Sequence, residues 1–258
     1  MGTQWQHDTV DVLGLRVSRM DVPTLRGLLG TAMAERRRLT VTFANPDYAL
    51  RAAKDPALRD LINRFDLVLA DGWGVVAATR IFGRPVPTRM ANDDLTDEFF
   101  GTPHRVFLFG NAPGVAEEAA ANLRRWFPDV TVAGVQHGHW ADASGTIPPG
   151  TARRIVNEIN EAKPDVLHVG LGTPLQQWFV AEYGDRLDVP VIVTCGAYFE
   201  HLAERRQYYP PWVLRLRIGF LYRLAREPRR LWRRYTIELG EYVLRVLAQR
   251  LRRKARNP

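Results

Sequence analysis

The chain has 258 residues, enough for one large domain or one domain with an appendage, and its 46% hydrophobic content allows a full core. No apolar run reaches the roughly 18 residues of a membrane span, residues 1–10 hold no signal-peptide core, and the single cysteine, Cys195, excludes an intramolecular disulfide and a cysteine-based metal cluster. The net charge of +8 divides unevenly: residues 201–258 carry 16 Lys+Arg against 4 Asp+Glu, net +12, and residues 1–200 are net −4, so a mildly acidic body with an expected cytoplasmic location joins a basic tail suited to an anionic partner.

Residues 13–17 read as a short strand, and residues 22–37 place apolar side chains at helical spacing behind Asp21, a candidate cap. Strand 39–43, helices over 48–53 and 57–63, and strand 67–70 follow. Residues 75–82 read as a helix, and Pro85 and Pro87 break the chain before a short helix at 94–100. Strand 106–109, helix 115–127, strand 130–135, a loop over 138–149, helix 152–162, strand 166–169, helix 176–183 and strand 191–193 complete the pattern. This alternation predicts an α/β fold: a Rossmann-like parallel sheet with helices on both faces. The pattern changes near residue 200. Pro210-Pro211 punctuates the chain, residues 212–224 are dense in Trp, Leu, Ile, Phe and Arg, and a second basic helix follows Pro228, with Leu231, Tyr235, Leu239, Tyr242 and Val246 along one side. The expected organisation is a catalytic α/β domain over 1–200 and a basic amphipathic helical appendage over 201–258.

Asp71 ends the apolar run 67–70 and is followed at once by Gly72-Trp73-Gly74, while strand 39–43 runs likewise into Asn45-Pro46-Asp47. Ligands of open α/β sheets bind beyond the carboxyl ends of the strands, so two polar groups at two strand ends suggest one cleft. An Asp after a strand is also often only a helix N-cap. Gly110, within Phe109-Gly110-Asn111-Ala112-Pro113-Gly114, reads either as a phosphate approach to a helix N-terminus or as a plain tight turn. Gly170-Leu171-Gly172-Thr173-Pro174-Leu175-Gln176 is a second strand–helix junction; Gly172, Thr173 and Gln176 offer hydrogen bonds to a sugar or base, though surface polar residues look the same. Arg89 sits on a loop from which a guanidinium can clamp a diphosphate. Asp93-Asp94 is either a divalent-metal site or a helix start. His137 and His139 flank Gly138 with no evident third ligand and read as a polar loop. Cys195 follows an apolar strand and reads as a small core side chain. In the tail, Arg223, Arg230, Arg233 and Arg234 flank Pro228, where a fold-back would converge planar guanidinium groups on a pyrophosphate. The interleaved Trp, Tyr, Leu and Phe point to an anionic membrane surface.

Asn45-Pro46, Asp71-Gly72-x-Gly74, Arg89 with Asp94-Leu95, Gly172-Thr173-Pro174-x-Gln176, and Tyr222-Arg223 with Glu227-Pro228-Arg229-Arg230-x-x-Arg233-Arg234-Tyr235 occur in order over nearly the whole chain. Together they resemble the WecG/TagA/CpsF glycosyltransferases. The resemblance implies an inverting, metal-independent transferase without a cofactor, which moves a sugar from a UDP-sugar onto an undecaprenyl-diphosphate-linked sugar at the inner membrane face, in polysaccharide or cell-wall polymer assembly. It implies Asp71 as the base, Arg89 and Gln176 at substrate positions, and Arg223, Arg230 and Arg233 as diphosphate-binding arginines. With the readings above, the expected substrate-binding set is Asn45, Arg89, Asp94, Gly110, Gly172, Thr173, Gln176, Arg223, Arg230 and Arg233, with no metal ligand. Phe43, Asn92, Gln177 and Glu200 stand where the family usually has Thr, Gly, Glu and Asp, so the donor sugar is left open, as is a homo-oligomer. Two rivals remain at this point. A nucleic-acid-binding protein would use the basic tail, but the body has no matching basic face or motif. A nucleotide-dependent oxidoreductase would need a glycine fingerprint that is not present.

Overall fold

The computed structural model describes residues 5–142, 145–204, 210–216, 219–226 and 228–256. The chain opens with a hairpin: Thr9–Val12 (β1) and Leu15–Ser18 (β2) pair antiparallel about Leu13 and Gly14. Their φ angles of 53° and 93° are the two positive values that a two-residue hairpin turn of this hand requires. The one strand expected over 13–17 is therefore a turn and a strand, and the strand before it carried too weak an alternation to be read.

Leu39–Ala44 (β3), Leu67–Ala70 (β4), Arg105–Gly110 (β5), Thr131–Gln136 (β6), Val166–Gly170 (β7) and Val191–Thr194 (β8) form one sheet in the order β4-β3-β8-β7-β5-β6, with every neighbouring pair parallel. Between and after them lie Val22–Ala34 (α1), Pro46–Lys54 (α2), Pro56–Ile62 (α3), Trp73–Ile81 (α4), Thr96–Phe100 (α5), Val115–Trp126 (α6), Pro149–Ala162 (α7), Leu175–Tyr183 (α8) and Tyr198–Glu204 (α9). Three helix starts share one chemistry. Asp21, Asn45 and Asp55 each accept from a backbone N–H of the first turn, and each is followed by a proline at the first or second helical position, where its missing N–H costs nothing.

Each strand sends alternate side chains to opposite cores. Val41, Leu69, Leu108 and Val193 pack with Leu25, Phe99, Leu123 and Phe199 of α1, α5, α6 and α9. Val68, Phe107, Phe109, Leu167 and Ile192 pack on the other face with the hairpin and residues of α2, α3, α4, α7 and α8. Burial on both faces is why these strands read as unbroken apolar runs. The hairpin also covers the β4 edge, where Val68 N donates to Ser18 Oγ at 3.0 Å.

Pro211–Leu216 (α10), Gly219–Arg226 (α11), Pro228–Arg233 (α12), a π-helical turn at Arg234–Glu238 and Leu239–Arg256 (α13) follow. α9 runs through residue 200, where the tail was expected to begin, and buries Tyr198, Phe199 and Leu202 in the body. α13 returns to the body: Tyr242 and Val246 are buried in the core that holds the hairpin and α4. Glu241 pairs with Lys54 at 2.6 Å, Gln249 Oε1 accepts from Leu13 N at 3.0 Å, and Arg253 Nη2 donates to Asp11 O at 2.8 Å.

Candidate active site

At the carboxyl ends of β3, β4, β7 and β8 lies a cleft of about 270 Å³, lined among others by Asn45, Asp71, Arg89, Gly172, Gln176 and Thr194. Open parallel sheets bind ligands at this place. Five of the residues expected to bind or react meet here, drawn from three strand–helix junctions and the loop that follows α4.

Asn45 caps α2, its Oδ1 accepting from Tyr48 N at 3.0 Å. Asp71 is tied to the neighbouring strand end, its N donating to Ala44 O at 2.9 Å. It is not the cap of α4: that position belongs to Gly72, with φ of 96° and no side chain to cap with. The ordinary reason for an Asp after a strand is therefore absent. The glycines serve packing. A Cβ on Gly74 would lie 2.6 Å from Pro46 Cγ, so the two turns that carry Asn45 and Asp71 pack directly against each other.

Arg89 Nη2 donates to Asp94 Oδ1, and Asp94 Oδ2 accepts from Ala91 N at 3.0 Å. Asp94 thus stands behind Arg89 and fixes the loop. Burial pushes its carboxyl above the ordinary value against the pull of Arg89, and the charge of nearby Asp71 pushes the same way. Asp93 faces the cleft and pairs with His201 Nδ1 at 3.0 Å. The two candidate metal-binding aspartates thus each have a cationic or ionisable partner. Among the described residues no group of three His, Cys, Asp or Glu side chains is placed to hold a metal.

Gln176 is buried, and its amide is engaged within the protein: Oε1 accepts from Gly196 N at 3.0 Å, and Nε2 donates to Thr173 Oγ1 at 3.3 Å. Thr173 therefore reaches the cleft through Gln176, and Gln176 holds the loop between β8 and α9. Beneath the cleft floor, Gln177 Nε2, Thr42 Oγ1 and Thr194 Oγ1 form a buried chain at 3.2 and 2.8 Å. Burial raises the Cys195 thiol well above its ordinary value, and it packs as the small core residue expected.

Gly110 does not line the cleft. Its φ is 148°, and a Cβ there would lie 2.3 Å from Gly170 O, so close approach of β5 and β7 demands the glycine. The following helix start is occupied from within, Gly114 N donating to Glu117 Oε2 at 3.0 Å. His137 stacks on Trp140 with centroids 4.4 Å apart, as part of a loop. Arg233 is exposed on α12, 3.9 Å from Glu238. The side chains of Arg223, Arg230, Arg234 and Tyr235, and Glu227 altogether, lie outside the described residues. Tyr48, Asn92, Thr194, Tyr198 and His201 also line the cleft and were not foreseen as site residues. Tyr48 sits three residues beyond Asn45, a spacing that offered a signal; the Asp93–His201 pair joins residues 108 apart and offered none.

A carboxylate at a glycine turn, an arginine braced by a second carboxylate, and glycine junctions around them make a site for a polar group-transfer reaction. Residues 10–256 match the model of the glycosyl transferase WecG/TagA/CpsF family, so the chain belongs to that family and is a glycosyltransferase. It is 28% identical over 221 residues to a Bacillus spizizenii N-acetylglucosaminyldiphosphoundecaprenol N-acetyl-beta-D-mannosaminyltransferase, covering 84% of this chain and 82% of the relative. Proteins of the same description from Bacillus subtilis and Staphylococcus aureus (strain MW2) are 27% identical over 222 residues and 25% identical over 250, the last covering 95% of both chains. The nucleic-acid-binding reading finds no support in these matches.

Proposed function

We propose that the protein is an inverting transferase that moves a sugar from a UDP-sugar onto N-acetylglucosaminyl-diphospho-undecaprenol in the assembly of a cell-wall polymer. The acceptor follows the names of the relatives. The observation that carries the reading is Asp71, a cleft carboxylate at a glycine turn that does not serve as the helix cap. Asp71 takes the proton of the acceptor hydroxyl. The oxygen attacks the anomeric carbon from the face opposite UDP, the bond from that carbon to the UDP oxygen breaks, and UDP leaves with the electron pair. A single displacement inverts the configuration, and a positioned base contributes about 10²–10⁴-fold. Asn45, Arg89, Gly172 and Gln176 orient the substrates, with Asp94 and Thr173 bracing them. Arg223, Arg230 and Arg233 meet the diphosphate as planar forks.

Residues 201–258 act in this reading as a membrane-facing appendage to the body. No described helix is long and apolar enough to cross a membrane. Trp212, Leu216, Leu221 and Trp232 are exposed beside arginines, which suits peripheral binding to the anionic inner leaflet.

The test uses the full chain, the lipid-linked acceptor in anionic vesicles, and a panel of UDP-sugars beginning with UDP-N-acetylmannosamine. UDP release and acceptor mass are followed. One donor should support transfer, and Asp71→Asn should lower turnover by about 10²-fold or more while donor affinity persists. Turnover within about threefold of wild type removes Asp71 as the base. Transfer from no UDP-sugar removes the reading itself.

A further inference from the structure

The tail touches the body just behind Asp71, at the glycine that closes the Asp71-Gly72-x-Gly74 motif. Tyr242, on the first turns of α13, is 3% exposed, and its hydroxyl donates to Gly74 O at 3.2 Å. Gly74 is three residues beyond Asp71, in the turn whose glycines pack against Pro46. One residue earlier, Glu241 pairs with Lys54 at the end of α2, the helix that Asn45 caps. A single helix therefore meets both helices that follow the cleft turns: Tyr242 bonds the first turn of α4, just after Asp71, and Glu241 pairs with the end of α2 far from Asn45.

We infer that Tyr242 is a positioning residue for Asp71, and that α13 braces the base in addition to any part it takes in membrane contact. The hydroxyl is 168 residues away in sequence from the carbonyl it meets, so nothing local requires the bond. A tyrosine that served only to fill the core would not need its oxygen: Val246, one turn further along, fills the same core without one. A buried hydroxyl aimed at a backbone carbonyl fixes the direction of that peptide, and with it the turn before it. Catalysis by a positioned group is sensitive to small displacements, since about 1 Å of misplacement can cost about 10²-fold.

This inference rests on Asp71 being the base. The test therefore compares wild type, Tyr242→Phe, Asp71→Asn and the double variant as full-length proteins, in the vesicle assay above. Tyr242→Phe keeps the ring and removes only the oxygen. Its kcat should fall about fivefold to twentyfold, with KM for the UDP-sugar within about twofold, and the acid limb of its kcat–pH profile should move. In the Asp71→Asn background the same substitution should change the residual rate by less than about twofold, because its effect passes through the missing carboxylate. A kcat loss below about twofold in the single variant overturns the inference. So does an equal loss in both backgrounds, which is what a merely structural role produces. If Asp71→Asn itself keeps full turnover, the assignment of the base fails instead, and the two failures are told apart by that arm.

Discussion

At the scale of single residues, the two most revealing side chains are Asp71 at the cleft and His168 inside the sheet. Asp71 lines the cleft one position before the helix cap Gly72, which leaves its carboxylate out of the capping role. His168 lies in the middle of β7, fully buried and stacked on Phe100 at 5.0 Å, and neither ring nitrogen has a hydrogen-bond partner among the described residues. Burial holds its pKa down at about 3, with the charge of His104 adding to the shift. The unfolded chain takes up this proton near the ordinary value of 6.5 and the folded chain does not, so stability is full above pH 6.5 and falls between about 6.5 and 3. His104, also lowered by burial, contributes with the same sign. His168→Leu should leave stability at pH 7.5 unchanged or raised, and should flatten its decline toward pH 4.5. Urea unfolding at the two pH values reads this directly, and a pH dependence equal to wild type would exclude His168 as its source. A neutral histidine in an apolar strand looks in sequence like any half-polar position; only the aromatic neighbours brought in from α5 show how apolar its surroundings are.

Elements were legible where one physical signal dominates. Buried parallel strands read as apolar runs, and strands 67–70 and 191–193 fall on β4 and β8 to within a residue. The capped, proline-led helices were visible for a similar reason, since cap and breaker are local chemistry. The hairpin was missed because β1 and β2 have four residues each and their turn contains Leu13 where Asn or Asp is the usual cue. The cleft was legible in part: Asn45, Asp71, Gly172 and Gln176 each sit on a recognisable strand–helix junction and Arg89 on a proline-marked loop, while the partnering of Asp93 with His201 is a product of tertiary packing. Gly110 separates the two kinds of information. If its glycine serves only the approach of β5 to β7, Gly110→Ala should destabilise the fold by about 1–3 kcal/mol, through overpacking against Gly170 O at a positive φ. UDP affinity of the folded fraction should then be unchanged. A loss of UDP affinity at full thermal stability would return Gly110 to the phosphate site.

On the scale of the whole molecule, α13 has two faces. Tyr242 and Val246 enter the core behind the turn that carries Asp71, while Leu244 and Leu251 stand open at 69% and 68% exposure. If the open face rests on a bilayer, the same rigid helix sets how high Asp71 stands above it. The enzyme then carries a ruler: its base reaches a hydroxyl one sugar above the lipid diphosphate, and the product's newest hydroxyl is already one sugar too far out. The transferase should therefore stop after a single addition even under a large excess of donor, and release its product for a different enzyme to extend. Mass analysis of the lipid product after prolonged incubation would show one added sugar, and a ladder of longer products would mean that the height of the base above the membrane is not fixed by this helix.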